Sequence, residues 1–121
     1  MASEAQHQAA VIKWTQQPDV RRTYPELALL HHIPNGGRRD AIEARHMKLQ
    51  GVKAGVPDLC LPVPRGRWHG LYIEMKTEKG HTSDVQDWWG DKLTAQGYLW
   101  KVCHGWQSAV ALLAGYLDGR I

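Results

Sequence analysis

The chain has 121 residues with six Trp, four Tyr and no Phe, and carries 15 Lys and Arg against 12 Asp and Glu for a formal charge of +3. That length, without a Ser- or Gly-rich linker, predicts one domain over residues 1–121, and a sequence pI near 9 admits a polyanionic partner without requiring one. No apolar run approaches the roughly 18 residues of a membrane span and residues 1–8 are polar, so neither a membrane protein nor a secreted one is expected, and the predicted location is the cytoplasm.

Ser3, with Gln6 three residues on, predicts a capped helix whose apolar stripe of Ala5, Ala9, Val11 and Ile12 runs toward Trp14 and ends before Pro18. Residues 27–33 are a short apolar stretch closed by Pro34-Asn35-Gly36-Gly37. They read as the first strand entering a turn, with a short helix as the alternative. Good helix formers predominate over residues 40–50, with Ile42, His46 and Leu49 on one side and Gly51 as the stop. Two short strands follow, around residues 58–61 and 71–76. Ser83 or Asp84 then opens a helix carrying Val85, Trp88, Trp89 and Leu93, ended by Gly97. Residues 98–103 give a last core strand and residues 107–117 a closing helix. Cys60 and Cys103 lie in apolar runs and match neither a CxxC nor a Cys/His zinc pattern, which predicts buried free thiols. The seven His are scattered.

Chemistry concentrates in Gly55-Val56-Pro57-Asp58-Leu59-Cys60-Leu61 and Leu71-Tyr72-Ile73-Glu74-Met75-Lys76. Alternation on a strand puts Glu74 and Lys76 on one face and Met75 on the other. If the two strands pair through the turn at 62–70, two carboxylates and an ammonium group converge. Hard oxygen ligands of this kind suit Mg²⁺ or Mn²⁺. A Pro-Asp followed by Glu-X-Lys on the next strand resembles the signature of the PD-(D/E)XK nuclease superfamily. Pro34-Asn35-Gly36-Gly37-Arg38, Gly51-Val52-Lys53-Ala54-Gly55-Val56-Pro57-Asp58, Gly70-Leu71-Tyr72-Ile73-Glu74-Met75-Lys76, Ser83-Asp84-Val85-Gln86 and Gly97-Tyr98 together resemble the VRR-NUC family, in particular its small stand-alone members from phages and bacteria. The resemblance spans nearly the whole chain. It implies an α/β fold with a restriction-endonuclease-like core, a mixed central β-sheet flanked by α-helices, and metal-dependent hydrolysis of DNA.

Phosphodiester hydrolysis needs an activated water, neutralised charge on the nonbridging oxygens and a stabilised leaving oxygen. Asp58 would bridge metal ions and Glu74 would bind the ion that activates water, while the resemblance adds the backbone carbonyl of Met75. Lys76 would orient the water and offset charge on the phosphate. A free Lys titrates near 10.4, so service as a general base would need a depressed value, which metal ions favour and the two acids oppose. A surface ion pair with Glu74 or Glu78 is the structural alternative. Glu4 is either a further metal ligand, as the resemblance suggests, or a first-turn acid favoured by the helix dipole. Gln86 stands in Ser-X-X-Gln, a capping box, and by resemblance points into the site; both roles are compatible.

Asn35, Arg38, Arg39, Lys48 and Lys53 are the expected DNA contacts, lying in or beside the family-like blocks, whereas Arg65 and Arg67 could serve only to keep a hairpin soluble. Trp14, Trp88, Trp100 and Trp106 fall in apolar patterns that suggest core or interface. That leaves Trp68, in a basic loop, as the expected base-stacking residue. No base-reading module is present, which favours recognition of DNA shape over sequence. The resemblance implies a homodimer acting on branched DNA, such as a Holliday junction, and Val110, Leu112, Leu113, Tyr116 and Leu117 offer apolar surface for such a pairing. The alternatives are a nuclease for nicks, flaps or single strands working beside a helicase, and a catalytically silent nucleic-acid-binding fold.

Overall fold

The computed structural model describes residues 1–35 and 40–121. Helix α1 (Glu4–Thr15) opens on the expected capping box, with the Gln6 amide donating to Ser3 Oγ at 3.1 Å and the Ser3 amide to Gln6 Oε1 at 2.8 Å. The helix ends before Pro18, as expected, and Pro18 itself begins α2 (Pro18–Thr23), where its fixed φ and missing N–H suit a first helical turn. The strand expected over residues 27–33 is corrected. Pro25 starts a 3₁₀ turn (Pro25–Leu29), and only His31–His32 pair, as β1. Helix α3 (Ala41–Leu49) is capped by Asp40, whose carboxylate accepts from the Glu43 amide at 2.8 Å. The remaining elements are β2 (Leu59–Leu61), β3 (Leu71–Lys76), α4 (Asp84–Ala95), β4 (Leu99–His104) and α5 (Trp106–Leu117).

The sheet runs β1-β2-β3-β4, antiparallel except for the parallel β3/β4 pair, which α4 connects as a crossover. This is the mixed sheet with flanking helices that the sequence predicts. Alternation on β3 sends Leu71, Ile73 and Met75 into a core shared with Val11, Leu59, Leu61, Leu99, Leu113 and Tyr116, and it sends Tyr72, Glu74 and Lys76 to the opposite face. Cys60 and Cys103 are buried free thiols, as expected. Among the described residues no helix is long and apolar enough to cross a membrane.

Two apolar faces behave differently from expectation. Leu113, Tyr116 and Leu117 of α5 are core residues, with the Tyr116 hydroxyl donating to the Val63 carbonyl at 2.7 Å, and Leu112 is packed partly buried against them. They are therefore not surplus surface. Helix α3 instead buries no residue at all and leaves Ile42 at 72% and Leu49 at 79% exposure, so its apolar side faces solvent. The basic hairpin residues are structural. Arg65 pairs with Glu26 and donates to the Leu117 carbonyl at 3.2 Å, tying the 62–70 turn to the end of α5, and the Arg67 guanidinium lies 4.3 Å from the Trp68 ring centroid.

Gly90 lets α4 lie against β4, because a Cβ there would come within 2.5 Å of the Trp100 indole. Gly90→Ala would gain ~1 kcal/mol in helix propensity but incur about 1–3 kcal/mol of overpacking against a ring that the sheet fixes. The expected outcome is a lower urea midpoint. An unchanged or raised midpoint would show that α4 can lift from β4 freely.

Candidate active site

Asp58 immediately precedes β2, and the β2/β3 register that pairs Leu59 with Ile73 places it opposite Glu74, so the two side chains emerge on the same face. Asp58 is held from three directions. Its Oδ2 accepts the Met75 amide N–H at 2.7 Å, and its own carbonyl receives the Ile33 amide and His32 Nδ1, each at 2.8 Å. The cross-strand convergence expected from the sequence is therefore present, and main-chain contacts fix it in place.

Glu74 is 1% exposed. Its Oε2 accepts from Gln86 Nε2 at 3.1 Å, while its buried Oε1 has no hydrogen-bond partner among the described residues. Its pKa is raised to about 9, chiefly by burial and next by the adjacent Asp58 carboxyl, with Glu4 a smaller contributor in the same direction and Lys76 opposing. In the absence of a cation Glu74 therefore holds a proton at neutral pH. Lys76 is 7% exposed, and among the described residues no carboxylate lies within 4.0 Å of its ammonium group, so the surface ion pair with Glu74 or Glu78 does not form.

Gln86 fills both of its expected roles with one amide. Its Oε1 accepts from the Ser83 N–H at 2.8 Å, closing the capping box of α4, and its Nε2 turns to Glu74. Glu4 begins α1 on an exposed surface, near enough to oppose ionisation of Glu74. Among the described residues, however, no three His, Cys, Asp or Glu side chains close into a ready metal cluster. The Met75 side chain is in the core and its N–H is committed to Asp58.

Asn35, Lys48 and Lys53 line one cleft of about 480 Å³ with Ala44, Met47, Val52 and Ala54. Arg38 and Arg39 lie outside the described residues. Trp68 is not brought to this region: it sits in the turn before β3, beyond the end of the strand opposite Lys76, with its ring packed against the core. Sequence reasoning passed over His7. Its Nδ1 accepts the Trp106 amide at 3.1 Å, and the neighbouring Gly105 amide donates to the Lys76 carbonyl at 2.9 Å, so α1, the end of β3 and the start of α5 are fastened together. The available signal was its i+3 spacing from Glu4, which places both on one side of α1.

An acid pair and a buried lysine thus share one face at the end of a mixed sheet, with one oxygen of the buried Glu74 carboxyl unpartnered among the described residues, an arrangement of the kind a phosphodiester-hydrolysing nuclease domain needs. A family model, the VRR-NUC domain, matches residues 2–107, and the chain belongs to the VRR-NUC family, which implies nuclease activity. A solved structure described as a VRR-NUC domain protein superposes with a TM-score of 0.81 at 29% identity, covering 98% of this chain and 91% of the other. No curated protein matches the chain.

The raised Glu74 pKa fixes how stability depends on pH. An unfolded Glu titrates near 4.5 and the folded one at about 9, so between those values the folded state keeps a proton that the unfolded state releases. Stability of the protein in EDTA is expected to fall through this residue as pH rises across that window. Glu74→Gln should flatten the fall and be the more stable protein at about pH 8 in urea unfolding. Parallel pH profiles for the two proteins would rule out a protonated native Glu74.

Proposed function

We propose that the protein is a divalent-metal-dependent DNA endonuclease of the PD-(D/E)XK type, of the small kind found in phages and bacteria, acting on branched DNA in the manner of a Holliday-junction resolvase, as a homodimer. The observation that carries this reading is the buried Glu74 carboxyl with one partnerless oxygen, set beside Asp58 and a buried Lys76. A binding module has no use for two acids facing DNA phosphates, which they repel unless a cation covers them. The donor set fits Mg²⁺ or Mn²⁺, which prefer carboxylate and carbonyl oxygen.

Asp58 and Glu74 would hold the ion, with Glu4 and the Met75 carbonyl as the remaining protein donors. When bound, such an ion neutralises charge on the phosphate and makes water a stronger nucleophile at neutral pH. Gln86 holds one Glu74 oxygen, which would leave the other available to the ion. Lys76 places a positive charge where the phosphate gains negative charge, and its burial in a low-dielectric setting strengthens that interaction. We assign it orientation and charge stabilisation and not proton abstraction. Asn35, Lys48 and Lys53 would seat the flanking phosphates in their shared cleft, with Arg38 and Arg39 as further candidates.

Wild-type protein should cut a labelled four-way junction with Mg²⁺ or Mn²⁺ and not in EDTA. Asp58→Ala should abolish cutting, and Lys76→Ala should lower kcat about 10²–10³-fold while leaving DNA affinity within a few-fold. A panel that adds a flap, a nick, a linear duplex and a single strand decides between readings. Preference for one of the other forms would replace the junction assignment, and tight binding with no metal-dependent cutting of any form would leave only a DNA-binding fold.

A further inference from the structure

Helix α4 presents two adjoining faces with different work to do. Gln86 reaches Glu74 on one of them. Val85, Trp88 and Trp89, at i, i+3 and i+4, share another face about 100° round the helix from Gln86. This second face is joined firmly to the loop that leads into Asp58. The Trp89 indole N–H donates to the Ala54 carbonyl at 3.1 Å, and Val85 sits so close to Gly55, which has φ +82°, that any Cβ there would lie 2.7 Å from Val85 Cγ1. Trp89 and Val85 thus serve as attachment. Trp88 does not: it is 53% exposed, stands edge-on to Trp89 with ring centroids 5.6 Å apart, and among the described residues has no hydrogen bond holding it.

Val85, Trp88 and Trp89 line a groove of about 620 Å³ with Lys53, Ala54 and Asp84. Lys53 also lines the adjoining cleft with Asn35 and Lys48, so the groove continues into the proposed phosphate path. The Lys92 ammonium lies 5.8 Å from the Trp88 ring centroid. Lysines on the rim attract a polyanion, while the interior offers aromatic and aliphatic surface and one carboxylate, Asp84, which would exclude a phosphate from the groove itself. An uncharged aromatic ring tethered to a phosphate chain meets all of these conditions. An apolar peptide would leave the rim charges unused.

We propose that Trp88 is a stacking platform for an unpaired nucleobase next to the cleavage site, seated in the groove between α4 and the Lys53-Ala54 loop while its phosphates follow Lys53 and Lys48. This rests on the nuclease reading above, and it gives that reading a physical basis for preferring DNA with unpaired nucleotides near the cut. Stacking accepts every base, so the preference would be for structure and not for sequence.

The test is binding, by fluorescence anisotropy with Ca²⁺ in place of Mg²⁺, of a duplex with an unpaired arm, the same arm made abasic, and a fully paired duplex. Trp88→Ala is expected to weaken binding to the armed duplex about tenfold, and Trp88→Phe to restore most of it. Trp88→Ala should match wild type on the abasic arm and on the paired duplex, and its salt dependence should keep the wild-type slope because no phosphate contact is lost. Unchanged affinity of Trp88→Ala for the armed duplex would overturn the platform. So would an equal loss on the abasic arm, or a change of oligomeric state in light scattering, which would make this face an interface between copies. Cleavage by wild type, measured on the same DNA with Mg²⁺, separates the two ideas: if wild type cuts and Trp88→Ala binds like wild type, only the platform fails, whereas if wild type cuts nothing, the nuclease reading fails whatever Trp88 does.

Discussion

A carboxyl group shut away from water at the end of the central strand sets the terms for everything near it. Charging Glu74 in that position without a cation would cost several kcal/mol, so the fold supplies what a buried acid can use. An amide donor comes from Gln86, and a lysine is buried alongside. Neither fully satisfies it, since Oε1 is left without a partner. An apolar residue at position 74 would pack into the same space at less cost. Its retention makes sense where binding a cation is what the group is for.

The devices that hold the site are borrowed from ordinary helix and strand construction. Gln86 is oriented by a capping box, which commits its oxygen to the Ser83 amide and leaves only the NH₂ to face Glu74. Asp58 is oriented by a strand amide, that of Met75. Gly55 and the Trp89 indole clip α4 to the loop before Asp58, so the two elements that carry Gln86 and Asp58 cannot shift independently. A site assembled this way inherits the rigidity of the sheet and needs few contacts of its own.

Much of this was legible in the sequence, because its local signals agree with the tertiary outcome. Ser3 with Gln6 and Ser83 with Gln86 announce their caps, and the parity of Glu74 and Lys76 on a strand follows from geometry alone. The misreadings arise where an apolar pattern does not say which way it will turn. Residues 27–33 have a strand's composition, yet Pro25 begins a 3₁₀ turn that takes the first three of them, and pairing is left to His31 and His32. In α3 and α5 the same kind of stripe meets opposite fates. Leu113 and Tyr116 go inward, whereas Ile42 and Leu49 face solvent, because periodicity reports a face and not its neighbour. The six tryptophans show the same limit, since Trp68, in a basic loop, packs on the core while Trp88, in a helical pattern, stays outside.

Asp58 and Glu74 carry unequal information about the history of such a protein. Asp58 holds the Met75 amide with its side chain, and its carbonyl anchors β1 through Ile33 and His32. A lineage that had abandoned catalysis would still have a folding reason to keep an acceptor at that position. Glu74 gives the fold nothing comparable and strains it at neutral pH. Drift would therefore erase Glu74 early and Asp58 late. In sorting working enzymes from retired ones among proteins built on this plan, the buried glutamate is the more telling residue, although the aspartate stands in the more recognisable motif.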